Sequence, residues 1–136
     1  DWWTGAHHAG GQWVDVPAPL HRLPLFVRAG ALVPVTDSPN DRARTEEPSR
    51  ALLWFPAREG DGNAWLYEDD GAQAAGDDAH RVLHRFSAQS HAATLRLSLH
   101  SQGAWPLPYR QIRVVLPEGE RRKLALMSSG PVDLRA

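Results

Sequence analysis

The sequence contains no cysteine, which excludes disulfides and thiolate chemistry and leaves the redox compartment open. No apolar run approaches the roughly 20 residues that a membrane-spanning helix requires, and no signal peptide precedes the fold. We therefore expect no membrane partner, and these absences favour a cytoplasmic location. Neither sign of charge dominates, because 15 Lys and Arg stand against 16 Asp and Glu. No basic stripe interleaves with the aromatic residues, so nucleic acid is not an expected partner.

Several catalytic motifs are absent as well. No serine lies in a G-x-S-x-G nucleophile elbow, which disfavours a hydrolytic triad of that type. The glycine-rich stretch near Gly60 and Gly62 lacks the Gly-Lys-Ser/Thr pattern of a phosphate-binding loop. The histidines after residue 79 are scattered without the spacing of metal ligands, and they are His80, His84, His91 and His100.

The sequence does contain short apolar runs, separated by glycine and proline turns about ten to fifteen residues apart. Hydrophobic residues make up 42% of the chain, which supports a packed core, and no segment sustains a helical period with capping residues. This pattern predicts an all-β fold with little or no helix, built as one or two antiparallel, Greek-key-like β-sandwiches. The clearest strand candidates are Ala51–Ala57, Ala64–Tyr67, His80–Gln89, Thr94–His100, Tyr109–Leu116 and Lys123–Met127, with a further strand in the tail Ser128–Ala136.

Two hairpins are predicted from turn residues. Asp1–Gly11 ends in a glycine pair and is followed by the alternating run Gln12–Val16, which we interpret as its return strand. Ala51–Ala57 and Ala64–Tyr67 flank the turn cluster REGDGN and predict a second hairpin. The adjacent histidines His7 and His8 lie in the first hairpin. Neighbours on a strand face opposite sides, so a solvated turn explains this pair better than a metal site or acid–base chemistry.

The segment Pro19–Val35 combines aliphatic residues, prolines and one cation. Pro24 and Pro34 cannot donate to a strand ladder, so we expect them at strand starts, edges or bulges. Arg28 lies among apolar neighbours, and a cation buried there needs a carboxylate or carbonyl partner.

The strongest internal boundary is Thr36–Arg50, which is polar, charged and punctuated by proline. A structureless loop of this length is unusual within one compact layer, so the segment predicts a linker between two subdomains.

The acidic run at Glu68, Asp69 and Asp70 precedes Gly71 at the end of a predicted strand. Three consecutive carboxylates are able to supply oxygen ligands to Ca²⁺, although the spacing of a helix-loop-helix calcium loop is absent. Two carboxylates across a sugar would serve glycoside hydrolysis, but neighbours on one strand diverge to opposite faces. The interpretation that we favour is a turn in which an aspartate caps backbone N–H groups and pairs with an arginine.

Six tryptophans are many for 136 residues. In small β domains tryptophan fills the core, whereas in sugar-binding proteins it stacks on pyranose rings. Trp65 and Trp105 lie near predicted turns and are the candidates for the second role.

Three segments taken in order carry a family resemblance: DWWTG from Asp1, GGQWVDVPAPLHRLPLFVRAGALVPV ending at Val35, and WLYEDDG ending at Gly71. Together they resemble the C-terminal region of glycoside hydrolase family 31, which includes α-glucosidases and α-xylosidases. The resemblance covers residues 1–35 closely and residues 51–71 well, and beyond Gly71 it rests on strand order. At His21 this chain departs from the aspartate that is common in the family.

The resemblance implies a catalytic (β/α)8 barrel followed by proximal and distal C-terminal β-sandwiches. Residues 1–35 would be the end of the proximal domain, residues 36–50 a linker and residues 51–136 the distal domain. The family's nucleophile and acid/base are aspartates on the barrel, and no segment here matches the motif around either. No catalytic residue is therefore assigned to this chain, and the adjacent tryptophans Trp2 and Trp3 at its start also suggest a segment of a longer protein.

The function expected from the resemblance is that of a non-catalytic β domain of an α-glycosidase. It would cover the catalytic barrel of the same protein and hold its active-site loops, with Arg28, Glu68, Asp69 and Asp70 as structural polar anchors. One alternative is an autonomous carbohydrate-binding module that uses Trp65 and Trp105. Another is a β module stabilised by calcium at the acidic run, and no other metal or cofactor is expected.

Overall fold

The computed structural model describes residues 1–36, 50–71 and 78–136. In these ranges the chain forms two four-stranded sheets and one short 3-10 helix at Asp78–His80, which confirms the all-β prediction. The strands are β1 (Leu32–Thr36), β2 (Arg50–Trp54), β3 (Gly60–Asp69), β4 (Arg81–Ser90), β5 (Thr94–Gly103), β6 (Gln111–Val115), β7 (Lys123–Ser129) and β8 (Asp133–Arg135). Sheet A has the order β1-β2-β6-β8, and sheet B has the order β3-β4-β5-β7.

The core is built by strict alternation along the long strands. In β4 the predicted inward residues Val82, His84 and Phe86 are buried while Arg85 is exposed, because successive side chains of a strand point to opposite faces. In β5 the leucines predicted to face inward are likewise buried. The core cluster is made of Leu32, Leu52, Trp54, Phe86, Ala88, Leu95, Leu97, Leu99, Tyr109, Ile112, Val114 and Val132.

The strand pairing is mixed rather than purely antiparallel. β1–β2, β3–β4 and β4–β5 are antiparallel, whereas β2–β6, β5–β7 and β6–β8 are parallel. Sequence alternation does not report strand direction. The parallel pair β5–β7 arises because the chain leaves sheet B after β5, forms β6 in sheet A, and returns in the same direction.

The hairpin predicted from the run before Pro56 and the run after Asn63 is wrong. β2 pairs with β1 and β6 in sheet A, while β3 pairs with β4 in sheet B. The turn cluster between them therefore carries the chain from one sheet to the other. Both runs are strands, as predicted, but each buries its apolar face from its own side of the core.

The hairpin predicted at residues 1–16 is also wrong, because residues 1–31 contain no strand. The segment is held by isolated bonds, such as Trp2 N–H donating to the Leu25 carbonyl at 2.9 Å and Gly5 N–H to the Asp1 carbonyl at 3.0 Å. Most of its side chains are exposed. Without a neighbouring strand to pair with, its alternation has no face to bury.

Pro34 lies in β1, which is an edge strand of sheet A, as expected for a residue that cannot donate to a ladder. β1 belongs to the stretch assigned to the first subdomain, yet it pairs along its whole length with β2. Residues 37–49 of the predicted linker lie outside the described residues, as do residues 72–77 of the loop after Gly71. Within the described ranges, no helix has the length and apolar character needed to cross a membrane.

Candidate functional site

A chain of polar side chains crosses the sandwich from sheet A to sheet B. Arg50 Nε donates to Glu68 Oε1 at 2.6 Å, and the Tyr109 hydroxyl donates to Glu68 Oε2 at 2.7 Å. His84 Nε2 lies 3.1 Å from the Tyr109 hydroxyl, and His84 Nδ1 lies 2.8 Å from Ser101 Oγ. Five residues from four strands and one loop are thus joined by four hydrogen bonds, and we call this set the polar chain.

The alternation of the strands places these groups inside. Glu68 follows Leu66 on the half-buried face of β3, and His84 lies directly opposite Leu66 on β4. Ser101 of β5 is the register partner of His84 on its other side. Tyr109 enters from the loop before β6, and the Arg50 guanidinium lies over its ring at 5.2 Å. The polar chain therefore links both sheets at one end of the core.

The direction of each hydrogen bond in the polar chain follows from Glu68, because an ionised carboxylate only accepts hydrogen bonds. The Tyr109 hydroxyl donates its hydrogen bond to Glu68, so its oxygen accepts a hydrogen bond from His84 Nε2–H. Neutral histidine carries one ring proton, and Nδ1 is then the acceptor for the Ser101 hydroxyl. Burial lowers the pKa of His84, against the opposing effect of Glu68. Burial first, and then the bond to Glu68, raises the pKa of Tyr109 strongly, which keeps both groups neutral.

The order serine, histidine, acid resembles that of a hydrolase triad, but the geometry here does not serve nucleophilic attack. Tyr109 stands between the histidine and the carboxylate. A Cβ placed on Gly130 would lie 2.9 Å from Ser101 Cβ, so the backbone of that loop already packs on Ser101. Both oxygens of Glu68 accept hydrogen bonds within the protein. The polar chain satisfies buried groups and fixes the packing of two sheets.

Beside the polar chain lies an open cleft of about 440 Å³ between β1 and the end of β3. Tyr67, Asp69 and Trp105 line it, together with Arg50 and Glu68 from the polar chain. Partial desolvation first, and the Asp69 carboxylate second, raise the pKa of the Tyr67 hydroxyl, so this hydroxyl stays protonated. Of the two tryptophans predicted for sugar binding, Trp105 is in the cleft.

Trp65 lies on the outer face of sheet B and is 57% exposed. It is two residues before Tyr67 on β3, so both rings point to the same side of the sheet. The guanidinium of its cross-strand partner Arg85 lies over the indole ring at 4.7 Å. Tyr67 thus shares a face with Trp65 and also lines the cleft that contains Trp105.

The predicted polar anchors differ in their surroundings. Asp69 Oδ1 accepts the Gly71 N–H at 3.0 Å, and Asp70 N–H donates to the His80 carbonyl at 3.2 Å. Arg28 is exposed, so the burial expected for it is wrong. The apolar run around it packs only partly, and no ion pair joins Arg28 to another residue in the described part of the chain. The anchor role of these four residues stays a prediction.

Calcium at the acidic run also stays a prediction. Among residues 1–36, 50–71 and 78–136, no group of three or more His, Asp or Glu side chains is arranged to hold a metal ion. Melting the chain with and without a chelator tests this prediction, because an ion bound to the folded state raises the melting temperature by mass action.

No local sequence pattern pointed to Arg50, Tyr109 or Ser101. His84 could have been found from the sequence. It is a polar residue between the inward-facing Val82 and Phe86 of β4, and a buried histidine requires hydrogen-bond partners. A second missed group is Arg122, which makes two bonds to Glu120 at 2.6 and 3.0 Å and donates to the Ala57 carbonyl at 2.9 Å. Arg122 also donates to the carbonyl of His91 at 3.4 Å, so it joins its own loop to the loop after β2 and the turn after β4 at the other end of the sandwich. The bonds from Arg122 lower the pKa of Glu120 to about 2.

Comparisons with known proteins give two relatives of known name. An α-xylosidase from Saccharolobus solfataricus is 37% identical over 71 residues, which are 52% of this chain and 9% of that enzyme. α-Glucosidase 2 from Bacillus thermoamyloliquefaciens is 34% identical over 73 residues, again 52% of this chain and 9% of the enzyme. No family model and no solved structure matches the chain. The match spans about a tenth of the length of these relatives, and about half of this chain is a region related to the α-glycosidases of glycoside hydrolase family 31.

Proposed function

We propose that this chain is a non-catalytic C-terminal β domain of a larger α-glycosidase, where it supports the catalytic barrel. The observation that carries the proposal is the state of Glu68 in the polar chain. Its side chain is only 8% exposed and both oxygens are bound by Arg50 and Tyr109, so it is not available to attack or protonate a glycosidic bond. Retaining and inverting glycosidases need two carboxyl groups on opposite sides of the sugar.

The other carboxylates of the acidic run do not provide such a pair. Asp69 is exposed on the opposite face of β3 from Glu68, and it accepts the N–H of Gly71. This supports a structural use of the acidic run.

The size relation supports a place within a longer enzyme. The match covers about a tenth of each named relative, so most of the length of those α-glycosidases lies outside the matched region. The division into residues 1–35, 36–50 and 51–136 is part of the proposal. β1 then ends the first part and completes the sheet of the last part.

Residues 1–31 provide a surface for contact with the rest of such a protein. Their large apolar side chains are exposed to an extent that is unusual beside a well-packed core. The side chains and their exposed fractions are Trp3 46%, Trp13 101%, Leu20 109%, Leu23 68% and Phe26 51%.

An assay of the purified chain on aryl α-glucosides and α-xylosides tests the non-catalytic role. We expect no turnover above that of a heat-denatured sample. Turnover that co-elutes with the folded chain and is lost in Glu68→Gln or Asp69→Asn would overturn the proposal.

The partner is tested by reading the gene on both sides of the coding segment. An in-frame (β/α)8 barrel with two aspartates positioned across its active site supports the proposal. A start codon directly before Asp1 together with a stop codon directly after Ala136 would contradict it.

A further inference from the structure

Two aromatic residues lie on the outer face of β3, and a third lines the cleft at the end of that strand. We call these three residues the aromatic track: Trp65, Tyr67 and Trp105. Trp65 is 57% exposed and Tyr67 is 43% exposed, and both occupy outward-facing positions of the strand. Residues two apart on one face of a strand are separated by roughly 6.5 Å. Trp105 lies in the loop after β5 and lines the same cleft as Tyr67, and its backbone nitrogen lies 3.4 Å from the carbonyl oxygen of Arg81.

Trp65 is exposed and packs against one side chain of the neighbouring strand. Arg85 lies directly across from it on β4, and the guanidinium covers the ring at 4.7 Å from its centre. A cation over one face of an indole favours that arrangement and orients the ring. More than half of the side chain surface remains open to a ligand.

The surroundings of the aromatic track are polar and of mixed charge. The same outer face of sheet B presents amide, hydroxyl, imidazole and guanidinium groups. They are Asn63, Arg85, Ser87, Gln89, Arg96, Ser98, His100 and Gln102. At the far end the cleft adds the Asp69 carboxylate and the Tyr67 hydroxyl. These groups give directional hydrogen bonds beside exposed rings.

This combination selects one class of ligand. A pyranose has apolar C–H faces that stack on aromatic rings and hydroxyl groups that bond to planar polar side chains. A nucleic acid is disfavoured because the cleft contains two carboxylates and the chain has a net charge of -1. The same face also presents Met127, which is 55% exposed on β7, but the polar side chains of β4 and β5 lie between it and the rings of β3. The face therefore has no continuous apolar centre of the kind found in a protein interface.

We propose that the aromatic track binds a neutral oligosaccharide of two or three pyranose units, with one unit on Trp65 and the end of the chain in the cleft between Tyr67 and Trp105. The preference for α-linked sugars rests on the proposed function. The track itself rests on the two exposed rings of β3 and on the cleft that Tyr67 and Trp105 line.

Titration of the chain with maltotriose, with a xyloglucan-derived α-xylosylated oligosaccharide and with cellotriose tests the proposal by calorimetry. We expect an α-linked ligand to bind in the millimolar range or tighter. Trp65→Ala should weaken binding by about tenfold, the effect of losing one good stacking contact. Trp13→Ala is the matched control, because Trp13 is fully exposed but lies outside the track, and it should bind like the parent.

A measurement on the unaltered chain covers the case in which a variant fails to fold. On addition of sugar, the indole N–H resonances of Trp65 and Trp105 should shift in nuclear magnetic resonance spectra, while those of Trp3 and Trp13 stay in place. Absence of any shift with all three sugars overturns the proposal. Equal shifts at Trp13 and Trp65 would also overturn the proposal, since they would indicate nonspecific contact with the sugar rather than a binding site.

The outcomes separate this proposal from the function proposed above. If no sugar binds and aryl glycosides are not hydrolysed, the aromatic track fails while the non-catalytic role stands. If cellotriose binds at the track and the α-linked sugars do not, the track stands and the assignment to an α-glycosidase loses support. If hydrolysis is found, the non-catalytic role fails whatever the titration shows.

Discussion

Residues 1–31 and the sandwich that follows contain the same kinds of apolar residue and use them in opposite ways. In the sandwich, Leu95, Leu97 and Leu99 alternate with polar neighbours and are buried. In the first segment, Leu20 and Leu23 are exposed, and prolines at positions 17, 19 and 24 prevent a continuous strand. Hydrophobic content alone therefore does not make a core. The period of the pattern and a partner strand are both required.

The largest effect should come from the centre of the sandwich. Leu97→Ala removes a fully buried side chain from β5, and we expect a loss of about 2–5 kcal/mol in the free energy of unfolding, because a cavity remains. Chemical denaturation followed by circular dichroism measures this. A loss as small as that of an exposed leucine would show that the described core is not the stable part of the chain.

The next effect tests the polar chain within the sandwich. Tyr109→Phe removes the hydroxyl that links His84 to Glu68 and leaves buried polar atoms without a partner. We expect a loss of about 1–3 kcal/mol in unfolding free energy. Tyr67→Phe is the matched control, since that hydroxyl is on the exposed face, and it should change stability little. Equal effects of the two substitutions would contradict a structural role for the polar chain.

The third effect is a pH dependence that only the sandwich should show. Burial lowers the pKa of His84 in the folded state, so the unfolded state binds more protons below the ordinary histidine pKa near 6.5. This contribution to stability is complete above about pH 6.5 and is lost as the pH falls toward the lowered pKa, with a slope of at most about 1.4 kcal/mol per pH unit. The slope, measured by urea denaturation across this range, should disappear in His84→Gln.

Glu120 makes the free energy of unfolding depend on pH in a separate, lower pH range. Its pKa is lowered to about 2 in the folded state, mainly by the hydrogen bonds from Arg122. Its contribution is present above the ordinary glutamate pKa and is lost as the pH falls toward about 2. Glu120→Gln should remove the loss of unfolding free energy at low pH and leave the pH dependence caused by His84 unchanged. A shift of both windows in one variant would indicate that the two ends of the sandwich are coupled.

The smallest effect is expected in residues 1–31. Leu20 is fully exposed, and Leu20→Ser should change the unfolding free energy by no more than about 0.5 kcal/mol. The measurement is the same denaturation curve used for Leu97→Ala. A large loss would mean that Leu20 contributes to the packing of this chain by itself, which would remove the contrast between the two regions.

Sequence patterns predicted the strands well where one face is buried. The inward residues of β4 and β5 follow directly from alternation, and Pro34 lies on an edge strand for the reason expected. The patterns failed for partner choice. The run ending at Trp54 and the run beginning at Gly60 are strands, but they belong to different sheets, and local turn residues do not encode that.

The candidate site was likewise predictable from the sequence only in part. Glu68 was singled out with two neighbours as an acidic run, yet only Glu68 faces inward to meet Arg50 and Tyr109. These partners are 18 and 41 residues away in the chain, so no local motif indicates them. Trp65 and Trp105 both lie near predicted turns, and the structure places Trp65 on the outer face of sheet B and Trp105 in the cleft that Tyr67 also lines.

The sequence by itself determined the class of secondary structure, the inward faces of the long strands and the relation to α-glycosidases, because each depends on short-range order along the chain. Tertiary structure decided which strands pair, which of the acidic residues is buried, and that residues 1–31 form no strand. The physical reason is that strand partners and buried polar contacts are made between residues distant in sequence. Their free energy depends on the neighbours that folding brings together and not on the residues beside them in the chain.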